Sequence, residues 1–292
     1  MNILILGKGY IGSYLNDKLK SFASVDFESK KWFNYTDVNT LVKRLLYRQS
    51  PTGRPETVAK YDYVINCSGF TGRPNVDHAE EKQDLCYELN TFAPLRVSNM
   101  CKLHGINYIH ISSGCIYNGY EKQYTEKDDP NFGLFNEEAS TYSKSKHAYE
   151  LGSDYGLILR VRMPFCNNLH ERSILTKLLN YDNLVTYVNS KTYIPDLVNF
   201  ITLFIKGKYP AKEKNILNFV NPVPLSTDQV TGIMKEKGLH NTSWKWVHFE
   251  ELNTKANRSN CILSTKKLEK EYGFRLLDEE VAIKKALANI SI

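Results

Sequence analysis

The sequence predicts an α/β protein: a Rossmann-type, doubly wound parallel sheet with a smaller C-terminal substrate-binding lobe. Three observations predict it. Short apolar runs alternate with helical patterns over the first half of the chain, the signature of a parallel sheet with helices on both faces. A GxGxxG motif follows the first of these runs directly. After about residue 163 the regularity fades into scattered short elements. The expected division is a dinucleotide-binding part, 1–163, and a smaller lobe, 164–292, with a soft boundary across which elements interleave.

In order, strands are expected at 2–6 (NILIL), 23–27, 62–67, 106–111 and 157–161. Helices are expected at 10–20, 37–49, 83–104 and 139–154, where apolar residues recur at helical spacing. The Pro/Gly stretch 50–60 reads as a loop, and so does the polar stretch 116–138. In the lobe, helices near 170–181, 195–206, 226–237 and 277–288 accompany a strand near 184–188.

Composition narrows the function classes. With 42% hydrophobic and 24% charged residues, the 292-residue chain has an ordinary globular profile. No apolar run approaches the length of a membrane span, and NILIL is too short for a signal peptide. The net charge of +6 comes from scattered lysines and arginines, which does not make the one-sided footprint of a nucleic-acid binder. A small phosphorylated ligand in an anion-binding pocket fits better. The six cysteines show no CxxC and no metal-ligand spacing. No metal site is expected, and a reducing cytoplasm is the expected setting.

In GKGYIG, Gly7 makes the tight turn, Gly9 lets a pyrophosphate approach the backbone, and Gly12 allows close strand–helix packing. Tyr10 and Ile11 open the helix whose free N–H groups face the phosphates. Asp26, 19 residues beyond Gly7, is expected to hold the adenosine ribose of NAD. Ser29, Lys30 and Lys31 follow it and suit the 2′-phosphate of NADP instead. The reading leans to NADP(H), with NAD(H) as the alternative. Cys67, Ser68 and Gly69, after the third strand, are further expected cofactor contacts.

Tyr142 and Lys146 stand one helical turn apart in TYSKSKH. An ammonium beside a phenol is expected to lower the phenol's pKa, so that tyrosine exchanges a proton with a substrate oxygen near neutral pH. Upstream, ISSGCIY puts Ser112 and Ser113 at a strand end and a thiol, Cys115, two residues later. Hydride transfer needs no thiol.

The glycine turn, the serine-bearing strand end and the Tyr-x-x-x-Lys helix, in that order, resemble the extended short-chain dehydrogenase/reductase superfamily. By that resemblance Ser113 orients a substrate carbonyl, Tyr142 is the acid/base and Lys146 also binds the nicotinamide ribose. The segments CSGFTGRPNVDHAEEKQ (67–83), SSGCIY (112–117), YSKSK (142–146), LRVRMPF (159–165) and RSNCILSTKKL (258–268) narrow it further. Together they resemble the bifunctional UDP-4-keto-6-deoxyglucose 3,5-epimerase/4-reductases that complete UDP-L-rhamnose synthesis, which are related to the dTDP-4-dehydrorhamnose reductases. That resemblance implies UDP-4-keto-6-deoxy-D-glucose as substrate and Cys115 and Lys177 as the epimerisation acid/base pair. It implies a separate UDP-glucose 4,6-dehydratase as functional partner, because no dehydratase segment accompanies these motifs.

Less specific carry-overs are Arg258 as a clamp for the sugar diphosphate, and Arg73 and Asn75 beyond the third strand as substrate contacts. Each arginine has the alternative of pairing with a loop carboxylate. Arg162 and Pro164 are expected to shape the nicotinamide pocket. Trp244 and Trp246 read as core aromatics sooner than as a base-stacking pair. The chain departs from the family pattern in GKGYIG for GKTGWIG, in His78 for tryptophan and in ANRSN for APRSN. Uridine or thymidine preference stays open, as does a homodimer. Two rivals stand beside this reading: a dTDP-4-dehydrorhamnose reductase without epimerase activity, and a non-catalytic nucleotide-binding regulatory subunit of the same fold.

Overall fold

The computed structural model describes residues 1–29, 34–49, 55–73, 75–209 and 213–290. At its centre lies a six-stranded sheet in the spatial order Lys214–Asn218, Gly156–Val161, Asn107–Ser113, Tyr63–Asn66, Asn2–Leu6, Ser24–Glu28. Every pairing in it is parallel. Numbered along the chain, the order is 2-1-3-4-5-6, so the winding reverses between the first and third strands. Ligands bind beyond the carboxyl ends of parallel strands at such a reversal.

The sheet is buried on both faces, as alternation along its strands shows. Ile3 and Ile5 pack with Leu15, Leu19, Phe200 and Phe204, under the helices Tyr10–Leu19 and Ile194–Ile205. Leu4 and Leu6 pack on the opposite face with Leu41, Leu45, Val97 and Tyr149. A separate core around Leu175, Leu178, Val230, Met234 and Ile283 holds the helices Ile174–Asn180, Thr227–Glu236 and Glu279–Ala288 together.

Four sequence-based expectations are corrected here. The sixth sheet strand, Lys214–Asn218, comes from the part expected to form the lobe, so the chain returns to the sheet after residue 163. The polar stretch 116–138 contains the strand Gly119–Tyr124, paired in parallel with Cys261–Leu263. Within 50–60, Pro55–Thr57 pairs antiparallel with Tyr47–Gln49. The expected helix 83–104 is Gln83–Tyr87 and Ala93–Leu103 joined by a π-turn, Glu88–Phe92. Among the described residues, no helix is long and apolar enough to cross a membrane.

One buried ion pair fixes the edge on which the site is built. Arg160, on the strand Gly156–Val161, donates from Nη2 to Glu150 Oε2 at 2.7 Å, and both side chains are almost fully buried. Ser112 Oγ donates to the other carboxylate oxygen at 2.7 Å. Arg160 Nη1 donates to Tyr117 Oη at 2.9 Å, and that hydroxyl donates to the Asp128 carbonyl at 2.8 Å. Strand end, helix and the 116–138 stretch are thereby tied together. Removing one member leaves a buried charge unmatched, so Glu150→Ala is expected to cost about 3–5 kcal/mol. A denaturant titration against the unsubstituted protein measures this.

Candidate active site

The glycine turn sits at the reversal point. Gly7 has φ +104°, its N–H donates to the Glu28 carbonyl at 2.8 Å, and a Cβ there would lie 2.6 Å from the Ser68 nitrogen. A Cβ on Gly12 would lie 2.1 Å from the Gly7 carbonyl oxygen, so only glycine lets helix and turn approach. A Cβ on Gly9 would meet nothing within 4 Å. That open space borders a helix N-terminus with no side-chain cap and no acidic residue in its first turn. Such an end attracts phosphate, so these residues fit a dinucleotide pyrophosphate.

The glycines therefore make different predictions. Gly9→Ala is expected to fold with stability within roughly 0.5 kcal/mol of the parent and to bind NADP(H) more weakly. Gly7→Ala is expected to lose on the order of 1–3 kcal/mol from backbone strain alone. Thermal melts with and without cofactor separate the two cases.

Gly9, Tyr10, Ile11, Cys67, Gly69 and Pro164 line a cleft of about 1100 Å³. Ser68 lies behind it, buried, with its N–H donating to Asn66 Oδ1 at 2.9 Å. Asp26 stands outside the lining of the cleft. It is a mid-strand residue whose Oδ2 accepts from Tyr61 Oη at 2.5 Å and Lys60 Nζ at 3.3 Å, with Arg44 at 3.2 Å. Burial opposes its charge, but those donors outweigh burial and hold the carboxyl below its ordinary pKa. Lys30 lies outside the described residues, as does Lys31.

Ser113 is the last residue of the strand Asn107–Ser113, and Tyr142 and Lys146 lie on the helix Thr141–Gly152. Ser140 caps that helix, its Oγ accepting from the Ser143 N–H at 3.2 Å. Lys146 is buried against Gly69: a Cβ on Gly69 would lie 3.1 Å from Lys146 Nζ and 3.0 Å from Asn90 Oδ1. Burial pulls its ammonium pKa down to about 8. Its Nζ stands 6.0 Å from the Tyr142 ring centroid.

The Tyr142 phenol is held above, not below, its ordinary pKa, contrary to expectation. Burial is the main cause and the neighbouring Cys115 adds to it, against lowering by the Ser113 hydroxyl and the Arg162 charge. Tyr142 therefore keeps its proton near neutral pH and is set to act as an acid.

Cys115 and Lys177 line the same cleft as Tyr142. The Cys115 N–H donates to Ser113 Oγ at 3.1 Å, which fixes the turn carrying the thiol. Lys177, half-buried on the helix Ile174–Asn180, has its pKa lowered by burial first, then by the charges of Arg172 and Arg258, with Cys115 acting the other way. Thiol, amine, phenol and serine hydroxyl thus converge on one region.

Arg73, Asn75 and Arg258 also line the cleft. Arg258 Nη1 donates to Asp77 Oδ1 at 2.8 Å, a carboxylate pairing like the one left open above, although Asp77 opens the short helix Asp77–Glu81 instead of lying in a loop. Arg73 is exposed, 3.9 Å from Glu171. Arg162 does not line the cleft, which corrects its expected place in a nicotinamide pocket; it is fully buried behind the Ser113–Cys115 turn. Trp244 donates from Nε1 to the Leu178 carbonyl at 2.7 Å and joins the lobe core, while Trp246 is half-exposed.

Sequence reasoning missed two cleft residues. Arg172 donates to Thr71 Oγ1 at 3.1 Å and bridges the helix of Lys177 to the segment after the third strand. His170 stacks on Tyr10 with ring centroids 4.3 Å apart. The signal available was position: both lie just ahead of Lys177.

A parallel sheet with a glycine turn at its reversal point, and with serine, tyrosine and lysine converging beyond its carboxyl edge, is the architecture of a dinucleotide-dependent reductase. The family model of the RmlD substrate binding domain matches residues 1–292, and the chain belongs to that family. It is an enzyme of the family that includes the dTDP-4-dehydrorhamnose reductases.

Among its relatives, a bifunctional dTDP-4-dehydrorhamnose 3,5-epimerase/dTDP-4-dehydrorhamnose reductase of Arabidopsis thaliana is 30% identical over 297 residues, covering 97% of this chain and 91% of that protein. A trifunctional UDP-glucose 4,6-dehydratase/UDP-4-keto-6-deoxy-D-glucose 3,5-epimerase/UDP-4-keto-L-rhamnose-reductase of the same plant is 32% identical over 242 residues; the match covers 78% of this chain and 34% of that protein. The chain therefore spans about a third of the trifunctional relative's length. The L780 UDP-rhamnose synthase of Acanthamoeba polyphaga mimivirus superimposes with a TM-score of 0.82 over 99% of each chain, at 25% identity. A dTDP-4-dehydrorhamnose reductase of Bacillus anthracis, in complex with NADP, shares the fold with a TM-score of 0.79 over 98% of each chain at 18% identity.

Proposed function

We propose that the chain converts UDP-4-keto-6-deoxy-D-glucose to UDP-β-L-rhamnose, epimerising carbons 3 and 5 and then reducing the 4-keto group with NADPH. NADH is the second choice of reductant. The observation that carries this reading is that Cys115 and Lys177 line the same cleft as Tyr142. A plain reductase has no use for a thiol and an amine beside its acid. The relatives support it: the bifunctional Arabidopsis protein, named for both activities, is matched over 91% of its length.

The chemistry follows from the groups present. Hydrogens on the carbons flanking a ketone are weakly acidic, and inverting those carbons needs a base on one face and an acid on the other. Cys115 and Lys177 fill those two roles, and the lowered pKa of Lys177 makes its neutral amine more accessible. Ser113 and Tyr142 hold the negative oxygen of the enolate by hydrogen bonds. When bound, a reduced nicotinamide would supply the hydride for carbon 4. Tyr142, which keeps its proton near neutral pH, delivers it to the new alkoxide, and Lys146 supplies positive charge beneath. Arg258, with Arg73 and Asn75, is the proposed grip on the diphosphate, by bidentate guanidinium contact. A separate 4,6-dehydratase is the proposed source of the substrate.

The test is product analysis. The enzyme, UDP-4-keto-6-deoxyglucose and NADPH are incubated together, and the sugar is assigned by proton NMR. The expected product has the L-rhamno configuration. A product reduced at carbon 4 with carbons 3 and 5 unchanged would overturn the epimerase half of the reading.

A further inference from the structure

Arg162 is a fully buried charge beside the cleft that the reaction above leaves without a task. It is 1% exposed, and its guanidinium makes four hydrogen bonds. Nη1 donates to the Gly114 carbonyl at 3.1 Å and to Ser259 Oγ at 2.7 Å. Nη2 donates to Asn189 Oδ1 at 2.7 Å and to the Ser259 carbonyl at 3.0 Å. All four acceptors are neutral. Its Nε–H is buried with no partner among the described residues.

Two other buried cations near the sheet edge, Arg160 and Lys191, are matched, and the buried Lys146 already has a place in the proposed reaction. Arg160 shares Glu150, and Lys191 Nζ lies 2.7 Å from Glu279 Oε1. No such carboxylate pairs with Arg162 among the described residues. Burying an unmatched cation costs several kcal/mol. A neutral donor of similar length would make hydrogen bonds to neutral acceptors without that cost, so joining strand to loop does not account for the charge.

What the guanidinium faces does account for it. The side chain lies along Gly114, where a Cβ would come within 3.1 Å of Arg162 Cγ. Cys115 is the next residue. The groups that interact with the Arg162 charge are Cys261, Cys115, Tyr120 and Tyr142, each of which is neutral or becomes negative. Tyr142 on the helix Thr141–Gly152, Lys177 on the helix Ile174–Asn180 and Cys261 on the strand Cys261–Leu263 are also within electrostatic reach of Cys115. Of the two cations among these, Lys177 borders the cleft and trades its proton, whereas the Arg162 guanidinium is walled in and always charged.

We propose that Arg162 is a positioning residue that supplies the fixed positive charge against which the Cys115 sulfur works as an anion during proton exchange at the sugar carbons. This rests on the epimerase reading above. The Cys115 thiolate takes a proton from the sugar carbon, the Lys177 ammonium gives a different proton to the opposite face, and proton exchange with solvent resets both groups, so no redox partner is involved.

The test compares full-length protein carrying Arg162→Gln, which keeps a neutral donor, and Arg162→Lys, which keeps the charge. The readout is the rate of Cys115 alkylation by iodoacetamide at pH 7 without sugar, followed by mass spectrometry of the Cys115 peptide. Folding is verified by thermal melts. Only the thiolate reacts, so Arg162→Gln is expected to be on the order of tenfold slower and Arg162→Lys close to the parent rate. Equal rates in Arg162→Gln and parent overturn the assignment, and so does an Arg162→Lys as slow as Arg162→Gln.

If Arg162→Gln does not fold, the parent alone carries the test: native Cys115 must react at least as fast as the same residue in the urea-unfolded chain. Slower reaction overturns the assignment. Deuterium exchange into the sugar by the parent separates the two claims. No exchange, with the alkylation contrast intact, overturns the epimerase reading and leaves the charged sulfur standing. Exchange with no alkylation contrast overturns the role of Arg162 alone.

Discussion

Cys115→Ala is expected to stop deuterium exchange at sugar carbons 3 and 5, by a factor on the order of a thousand or more, since general acid–base groups contribute 10²–10⁴. The physical case rests on substitution of roles. In the proposed reaction Ser113 and Tyr142 hold the carbonyl oxygen, Lys146 is buried beneath Gly69, and Cys115 and Lys177 are the cleft groups assigned to the sugar carbons. Removing the thiol leaves one face of the sugar without a base. Reduction of a sugar that already has the L configuration draws on Tyr142 and Lys146 and is expected to fall far less. The check is proton NMR of the exchange reaction beside the loss of NADPH absorbance with the pre-epimerised ketone. A variant in which exchange and reduction fall together would mean that the turn, not the thiol, was damaged.

The second large effect runs in opposite directions for activity and stability. Lys146 has an ordinary pKa of 10.5 and is held at about 8 by burial. Between those values the unfolded chain binds more protons than the folded one, so stability rises with pH across that window. Below about 8 the buried charge carries its full cost, about 3 kcal/mol from the gap between 10.5 and about 8. Lys146→Met removes that cost and is expected to raise the melting temperature at neutral pH. Reduction is expected to fall by roughly 10²-fold or more, because the charge beneath the phenol is gone. In the parent, the reduction rate is expected to decline as pH rises through about 8, where Lys146 loses its charge. A Lys146→Met protein that melts below the parent would contradict the burial argument.

Much of the site was legible because its chemistry is local in sequence. Gly7 and Gly12 have to be glycine for two different steric reasons within the fold, Gly9 borders open space, and the motif carries all three positions. Tyr142 and Lys146 share a face by helical spacing alone, and Cys115 follows Ser113 by two residues. What escaped depended on partners distant in sequence. Asp26 was assigned by its distance from Gly7, yet its carboxylate is occupied by Lys60 and Tyr61, more than 30 residues later. The direction of the Tyr142 shift depended on how deeply the phenol is buried, which no spacing reveals.

Elements were missed for similar reasons. The strand Gly119–Tyr124 (GYEKQY) is polar because most of it faces outward in a two-stranded pair, so it carries little apolar alternation. Lys214–Asn218 (KNILN) is short and ends in Asn218, whose Nδ2 donates to the carbonyls of Tyr124 at 3.0 Å and Ser264 at 3.1 Å. A buried asparagine whose amide donates to two distant carbonyls looks like a loop residue in sequence. Arg162 is the same problem in sharper form: within LRVRMPF nothing distinguishes it from Arg160, yet among the described residues Arg160 has a carboxylate and Arg162 does not.

The central claim is that one cleft both inverts carbons and reduces a ketone. The most direct test is to incubate the enzyme with UDP-4-keto-6-deoxyglucose in deuterium oxide without any nicotinamide, then add NADPH. The account predicts deuterium at carbons 3 and 5 before NADPH is added, and UDP-β-L-rhamnose labelled at both positions afterwards. NADPH consumption with neither carbon labelled would contradict it and leave a reductase whose thiol and amine only line the wall.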